Sequence, residues 1–132
     1  MGQWVSSNHN HADEYMGSSL PFATGSVAVA DGVAKEVKFP YVTRWVQVFN
    51  NGTNELRVGW TENGVEANPV SNSNYFVVEG GRESARLEVK CERMFFAGNG
   101  NATTFSLVAG YTNIPANRFL NLTGSEGFQG VG

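Results

Sequence analysis

Residues 86–114, RLEVKCERMFFAGNGNATTFSLVAGYTNI, constrain the fold more than any other stretch, because they carry the longest β signal in the chain. From Leu87 onward, Leu87, Val89 and Cys91 alternate with Glu88, Lys90 and Glu92, the period of two that half-buries a strand. Phe105, Leu107 and Ala109 repeat the pattern against Thr104, Ser106 and Gly110. Between the two runs, Gly98-Asn99-Gly100-Asn101 tolerates positive φ, so the stretch reads as two long strands joined in a hairpin. The alternation slips between Cys91 and Met94-Phe95-Phe96, and strict phase would bury Arg93, which predicts a β-bulge there.

Two more hairpins are expected upstream. Residues 26–39 place two short apolar runs around Asp31-Gly32, a strong signal for a type I′ turn, with Val33, Lys35, Val37 and Phe39 on one face and Pro40 as the stop. Residues 44–60 read RWVQVF, NNGTN, ELRVGW. Val46 and Val48 oppose Trp45, Gln47 and Phe49, so both faces are partly apolar and are covered either inside a sandwich or at a subunit contact. Leu56, Val58 and Trp60 face the core. Residues 61–74 are a polar loop with Pro69, followed by the strand NYFVVEGG and its closing glycines. Short strands, tight turns, 16 glycines and only 16% charged residues predict an all-β fold: a single antiparallel β-sandwich, jelly-roll-like, over residues 23–114. Residues 1–22 form an extended N-terminal arm, and 115–132 a C-terminal tail packed on the domain or on a neighbour.

The chemistry expected of the chain is sparse. Its formal charge is −3 and its nine basic residues are scattered, which argues against a nucleic-acid footprint. No apolar run approaches the roughly 20 residues of a membrane helix, and the first residues lack a signal-peptide pattern, so a soluble protein is expected. Nucleophilic catalysis needs Ser or Cys beside a base. His9 and His11 both lie in the arm, and Cys91, read as a small buried residue in mid-strand, has no core histidine. Glu62, Glu66, Glu79, Glu88 and Glu92 are the candidates for a glycosidase pair, although Glu88 and Glu92 alternate with Lys90 on a solvated face. His9, His11, Asp13 and Glu14 have ligand types that suit zinc or nickel, but no strand fixes them. The expectation is no catalytic residue, no cofactor and no metal. Apolar residues of the arm and tail instead point to contacts with partners: Trp4, Tyr15, Leu20, Phe22 and Phe128, together with Trp45, the best exposed aromatic platform.

The aromatic-rich strand with its N-N-G turn, the L-x-V-G-W strand, the L-x-V-K-C strand running into F-F-A-G, the V-A-G-Y-T-x-I-P strand and the L-T-G-S terminus are together similar to the capsid decoration, or cement, proteins of tailed phages. The likeness covers about residues 40–125. It implies a jelly-roll or sandwich fold, assembly as homotrimers on the capsid lattice, and no enzymatic role. The expected function is therefore a virion structural protein made in the host cytoplasm and placed on the capsid surface, bound to the major capsid protein and to neighbouring copies of itself. The alternative is a carbohydrate-binding or host-adhesion module of a phage tail or spike, stacking a glycan on Trp45.

Overall fold

The computed structural model describes residues 21–66 and 74–118. The chain forms β1 (Pro21–Val29), β2 (Lys35–Lys38), β3 (Tyr41–Asn50), β4 (Leu56–Gly59), a single helical turn α1 (Glu62–Val65), β5 (Tyr75–Val78), β6 (Arg93–Gly98) and β7 (Thr103–Pro115), with a 3-10 turn at Ala116–Arg118. Among the described residues, every pairing between these strands is antiparallel. Sheet one has the order β1-β7-β3 and sheet two the order β2-β6-β4-β5. The expected all-β sandwich is thus the observed architecture.

The alternation seen in the sequence is the reason the two sheets share one core. Val46 and Val48 of β3 and Phe105, Leu107 and Ala109 of β7 point inward from sheet one. Leu56, Val58, Met94 and Phe96 meet them from sheet two, and the rings of Phe96 and Phe105 stack with centroids 4.0 Å apart. Phe22, Phe39, Tyr41 and Tyr111 close one end of this core, Phe39 lying edge-on to Phe22 at 5.3 Å. Val33, expected to share a strand face with Val37 and Phe39, is 56% exposed and precedes β2, which begins at Lys35.

None of the three expected hairpins forms. β1 and β2 flank Asp31-Gly32 but belong to different sheets, as do β3 and β4 around residues 51–55, and β6 and β7 around Gly98-Asn99-Gly100-Asn101. Each turn carries the chain across the sandwich instead of back along the same sheet. Alternation is blind to this difference, since a strand facing the core has the same pattern in either sheet. Gly32 does take a positive φ of 67°, but it serves a junction in which its N–H donates to the Gly98 carbonyl at 3.0 Å and the Gly98 N–H donates to Ala30 at 2.9 Å.

The phase slip at Cys91 has the same origin. Residues 81–91 run beside β3 on the free edge of sheet one: Asn50 N–H donates to Arg82, Ser84 N–H to Val48, Leu87 and Val46 exchange both bonds, and Thr43 N–H donates to Cys91, all between 2.7 and 2.9 Å. Three steps from Ser84 to Leu87 span two from Val48 to Val46, so the ladder is bulged and the stretch is not a regular strand. At Glu92 the chain leaves sheet one and enters β6 of sheet two. The expected bulge is therefore a change of sheet, and Cys91 sits at that corner, outside any strand. Pro21 and Phe22, expected in the N-terminal arm, belong to β1, and the rest of the expected arm lies outside the described residues.

Candidate interaction surface

The outer faces of the two sheets differ. On sheet two, Phe95 and Ala97 of β6 are covered by Val65 of α1, with Ala34 and Tyr75 alongside. Thr61 caps that turn, its Oγ1 accepting from the Gly64 N–H at 3.1 Å. Arg57 secures it: the guanidinium lies 4.4 Å from the Tyr75 ring centroid, donates to the Val65 carbonyl at 3.1 Å and to Asn99 Oδ1 at 2.9 Å. Asn99 in turn donates to Glu55 Oε1 at 2.7 Å.

Sheet one has no such cover among the described residues. Its three regular strands contain a single charged residue, Arg44. In β7 burial alternates from Thr103 to Ala109, so Thr104, Ser106 and Val108 face outward. Register places Ala23 and Gln47 on either side of Val108, and Pro21 and Trp45 on either side of Gly110. Phe49 lies opposite Ser106. The result is a neutral face of small and weakly polar side chains with aromatics along one margin. At that margin Arg86 stacks over Trp45, 4.9 Å from the ring centroid, and is held by Glu88 at 2.9 Å. Ser106 Oγ accepts from the Ser26 N–H at 3.3 Å, steadying the β1 bulge where Ser26 has a φ of 52°.

No protein-family model, curated protein or solved structure matches the chain.

An uncharged surface loses little on desolvation, so covering the outer face of sheet one costs less than covering a charged one. Of the residues expected to bind partners, Trp45 is on this face, half-buried beneath Arg86. Phe22 is in β1 and packs inward on Phe39 and Tyr111. Trp4, Tyr15, Leu20 and Phe128 lie outside the described residues. Ala23, Gln47, Phe49, Ser106 and Val108 were not singled out from sequence, although the near-absence of charge in their strands was there to be read.

The groups weighed for chemistry are dispersed. Cys91 Sγ is buried 3.4 Å from Thr43 Oγ1, and burial pushes the thiol up from its ordinary value, away from a reactive thiolate. Glu79 pairs with Arg82 at 3.4 Å, Glu88 with Arg86, and Glu92 shares Arg93 with Glu36 at 3.1 and 3.3 Å, all at the surface. Glu66 accepts from the Ala34 N–H at 3.4 Å. A shallow groove of about 460 Å3 between β5 and residues 82–87 is lined by Phe76, Val77, Glu79, Arg82, Ser84 and Leu87. Among the described residues, no three His, Cys, Asp or Glu side chains gather as a metal site would require. The His9/His11 cluster lies outside them.

Proposed function

We propose that this chain is a non-enzymatic virion structural protein that decorates and stabilises a phage capsid through protein–protein contacts. The observation that carries the reading is the weakly charged outer face of β1, β7 and β3, which no described residue covers, whereas on sheet two Phe95 and Ala97 lie beneath Val65 of α1. A decoration protein works by many repeated weak contacts, and burial at roughly 25 cal/mol per Å2 summed over the lattice resists internal pressure without any single tight site. The jelly-roll part of the reading is supported by strand order. If residues 81–91 are counted as a strand, sheet one runs first-eighth-third-sixth and sheet two second-seventh-fourth-fifth, the arrangement of a double Greek key. The face would meet the major capsid protein or the next copy in a homotrimer, with Trp45 and its Arg86 cover at the rim.

Imaging of virions that carry this protein tests the reading. Density for the sandwich is expected at regular positions on the capsid lattice. Density confined to the tail would favour the glycan-adhesion alternative, in which case Trp45→Ala should abolish binding to a glycan array while the protein stays folded. Against that alternative stands the Arg86 guanidinium, which already occupies a face of the Trp45 ring that a sugar would need.

A further inference from the structure

The sequence contains three Asn-Gly pairs, Asn51-Gly52, Asn63-Gly64 and Asn99-Gly100. Asn followed by Gly is the pair most prone to deamidation, because no side chain on the glycine hinders the attack of its nitrogen on the Asn amide carbon. In that reaction the bond from the Gly nitrogen to Asn Cγ forms, the Cγ–Nδ2 bond breaks, and ammonia leaves with the proton of the Gly N–H. Water then opens the succinimide ring to aspartate or isoaspartate. Two of the pairs are fixed by packing: a Cβ on Gly52 would collide with Thr103, and one on Gly64 with Thr61 and Asn74. Their N–H groups donate to Asn50 Oδ1 and Thr61 Oγ1, both at 3.1 Å, and Asn50 and Thr61 are buried. Gly100 differs, being exposed, with a φ of 88° and nothing within 4 Å of where a Cβ would stand. Hydrogen bonds hold this junction, and they draw its reacting groups apart. Gly98, at the end of β6, has β4 on one flank, opposite Leu56, and residues 30–32 on the other. Toward β4, Asn99 Oδ1 accepts from Arg57 Nε at 2.9 Å and Asn99 Nδ2 donates to Glu55 Oε1 at 2.7 Å. Toward the other flank, the Gly100 N–H donates to Asp31 Oδ1 at 2.9 Å. The electrophilic carbon and the nitrogen that must reach it are thus tied to opposite neighbours.

We infer that Asn99 is a latent deamidation site, kept intact by Glu55, Arg57 and Asp31 and converted to aspartate or isoaspartate only when this corner opens. Glu55 and Asp31 are both exposed, so the restraint is made at the surface, where local opening costs least. Conversion has a structural consequence. It replaces the Nδ2 donor with a carboxylate oxygen facing Glu55, two like charges where a hydrogen bond stood. The change reaches α1 as well, because the Arg57 guanidinium that Asn99 accepts from also donates to the Val65 carbonyl. This inference does not depend on the protein's being a capsid component.

Peptide mapping by mass spectrometry of the full chain, aged in mildly alkaline buffer, tests it. In the native wild type, Asn99 should deamidate at least about tenfold more slowly than in the same protein unfolded in urea. Glu55→Ala, which removes the acceptor for Nδ2, and Asp31→Ala, which frees the Gly100 N–H, should each raise the native rate at Asn99 roughly fivefold, the effect of one hydrogen bond, and leave Asn51 and Asn63 unchanged. Glu55→Gln, which keeps an acceptor oxygen, should stay near the wild-type rate. Equal native and unfolded rates at Asn99 would overturn the inference. So would the absence of acceleration in both alanine variants, or a rise at all three Asn-Gly pairs alike, which assigns the effect to global unfolding instead of to this corner.

Discussion

Asn50 is the side chain on which the two sheets most depend. It is 2% exposed, and its amide donates to the carbonyls of Asn54 at 2.7 Å and Val78 at 2.8 Å while its Oδ1 accepts from Gly52 N–H and Thr103 Oγ1 at 3.1 and 2.9 Å. These bonds join the end of β3, the crossing that follows it, β5 and β7. Asn50→Ala leaves several buried groups unpaired at once and is expected to cost about 3 kcal/mol, read as a lower denaturant midpoint with an unchanged slope. Cys91 and Tyr111 predict a pH dependence. Burial raises both above their ordinary values of 9.0 and 10.0, so the folded state holds each proton more tightly than the unfolded chain does. The stability they contribute is complete below about pH 9 and is lost progressively as pH rises from there toward the folded-state values, because the unfolded chain ionises first. Cys91→Ala and Tyr111→Phe should each flatten the alkaline fall in melting temperature, and the Cys91 thiol should resist alkylation at pH 8 until the protein is denatured.

The crossings between sheets are the elements that sequence reading placed and misassigned. Strand positions, inward residues and turn residues were legible: Val46, Val48, Leu56, Val58, Phe105 and Leu107 are all in the core. Which sheet receives the chain after a turn was not legible, because turn residues report a reversal and a core-facing strand has the same alternation in both sheets. The choice is made by long-range pairing, β1 with β7 and β2 with β6, between residues some 55 to 90 apart, where local pattern has no reach. Gly98 marks one crossing whose geometry is strict. A Cβ there would lie 2.1 Å from the Asn101 carbonyl oxygen and 3.1 Å from that of Ala30, both main-chain atoms with little room to yield. Gly98→Ala is therefore expected to destabilise by about 2 kcal/mol or more, whereas Gly81→Ala, with a φ of 72° but nothing nearby, should cost about 1 kcal/mol. Thermal melts of the two variants side by side separate steric closure from backbone strain.

At the scale of the whole molecule the sandwich is asymmetric. Among the described residues, charged side chains gather on β2, on residues 82–93 and around α1, and β1, β3 and β7 of sheet one carry only Arg44. The face assembles from β1, β3 and β7, which are far apart in sequence and adjacent only once paired. The candidate surface was thus legible strand by strand and not as a surface. Because Val108 is central to it, flanked by Ala23 and Gln47, a charge placed there blocks contact without entering the core. If the proposed decoration role is right, the most direct test is co-sedimentation of wild type and Val108→Glu with undecorated phage capsid shells. Saturable binding is expected of the wild type and at least about a hundredfold weaker binding of the variant, about 2.8 kcal/mol, with melting temperatures within a few degrees of each other. Equal binding by the two proteins, or none by the wild type, would contradict that role.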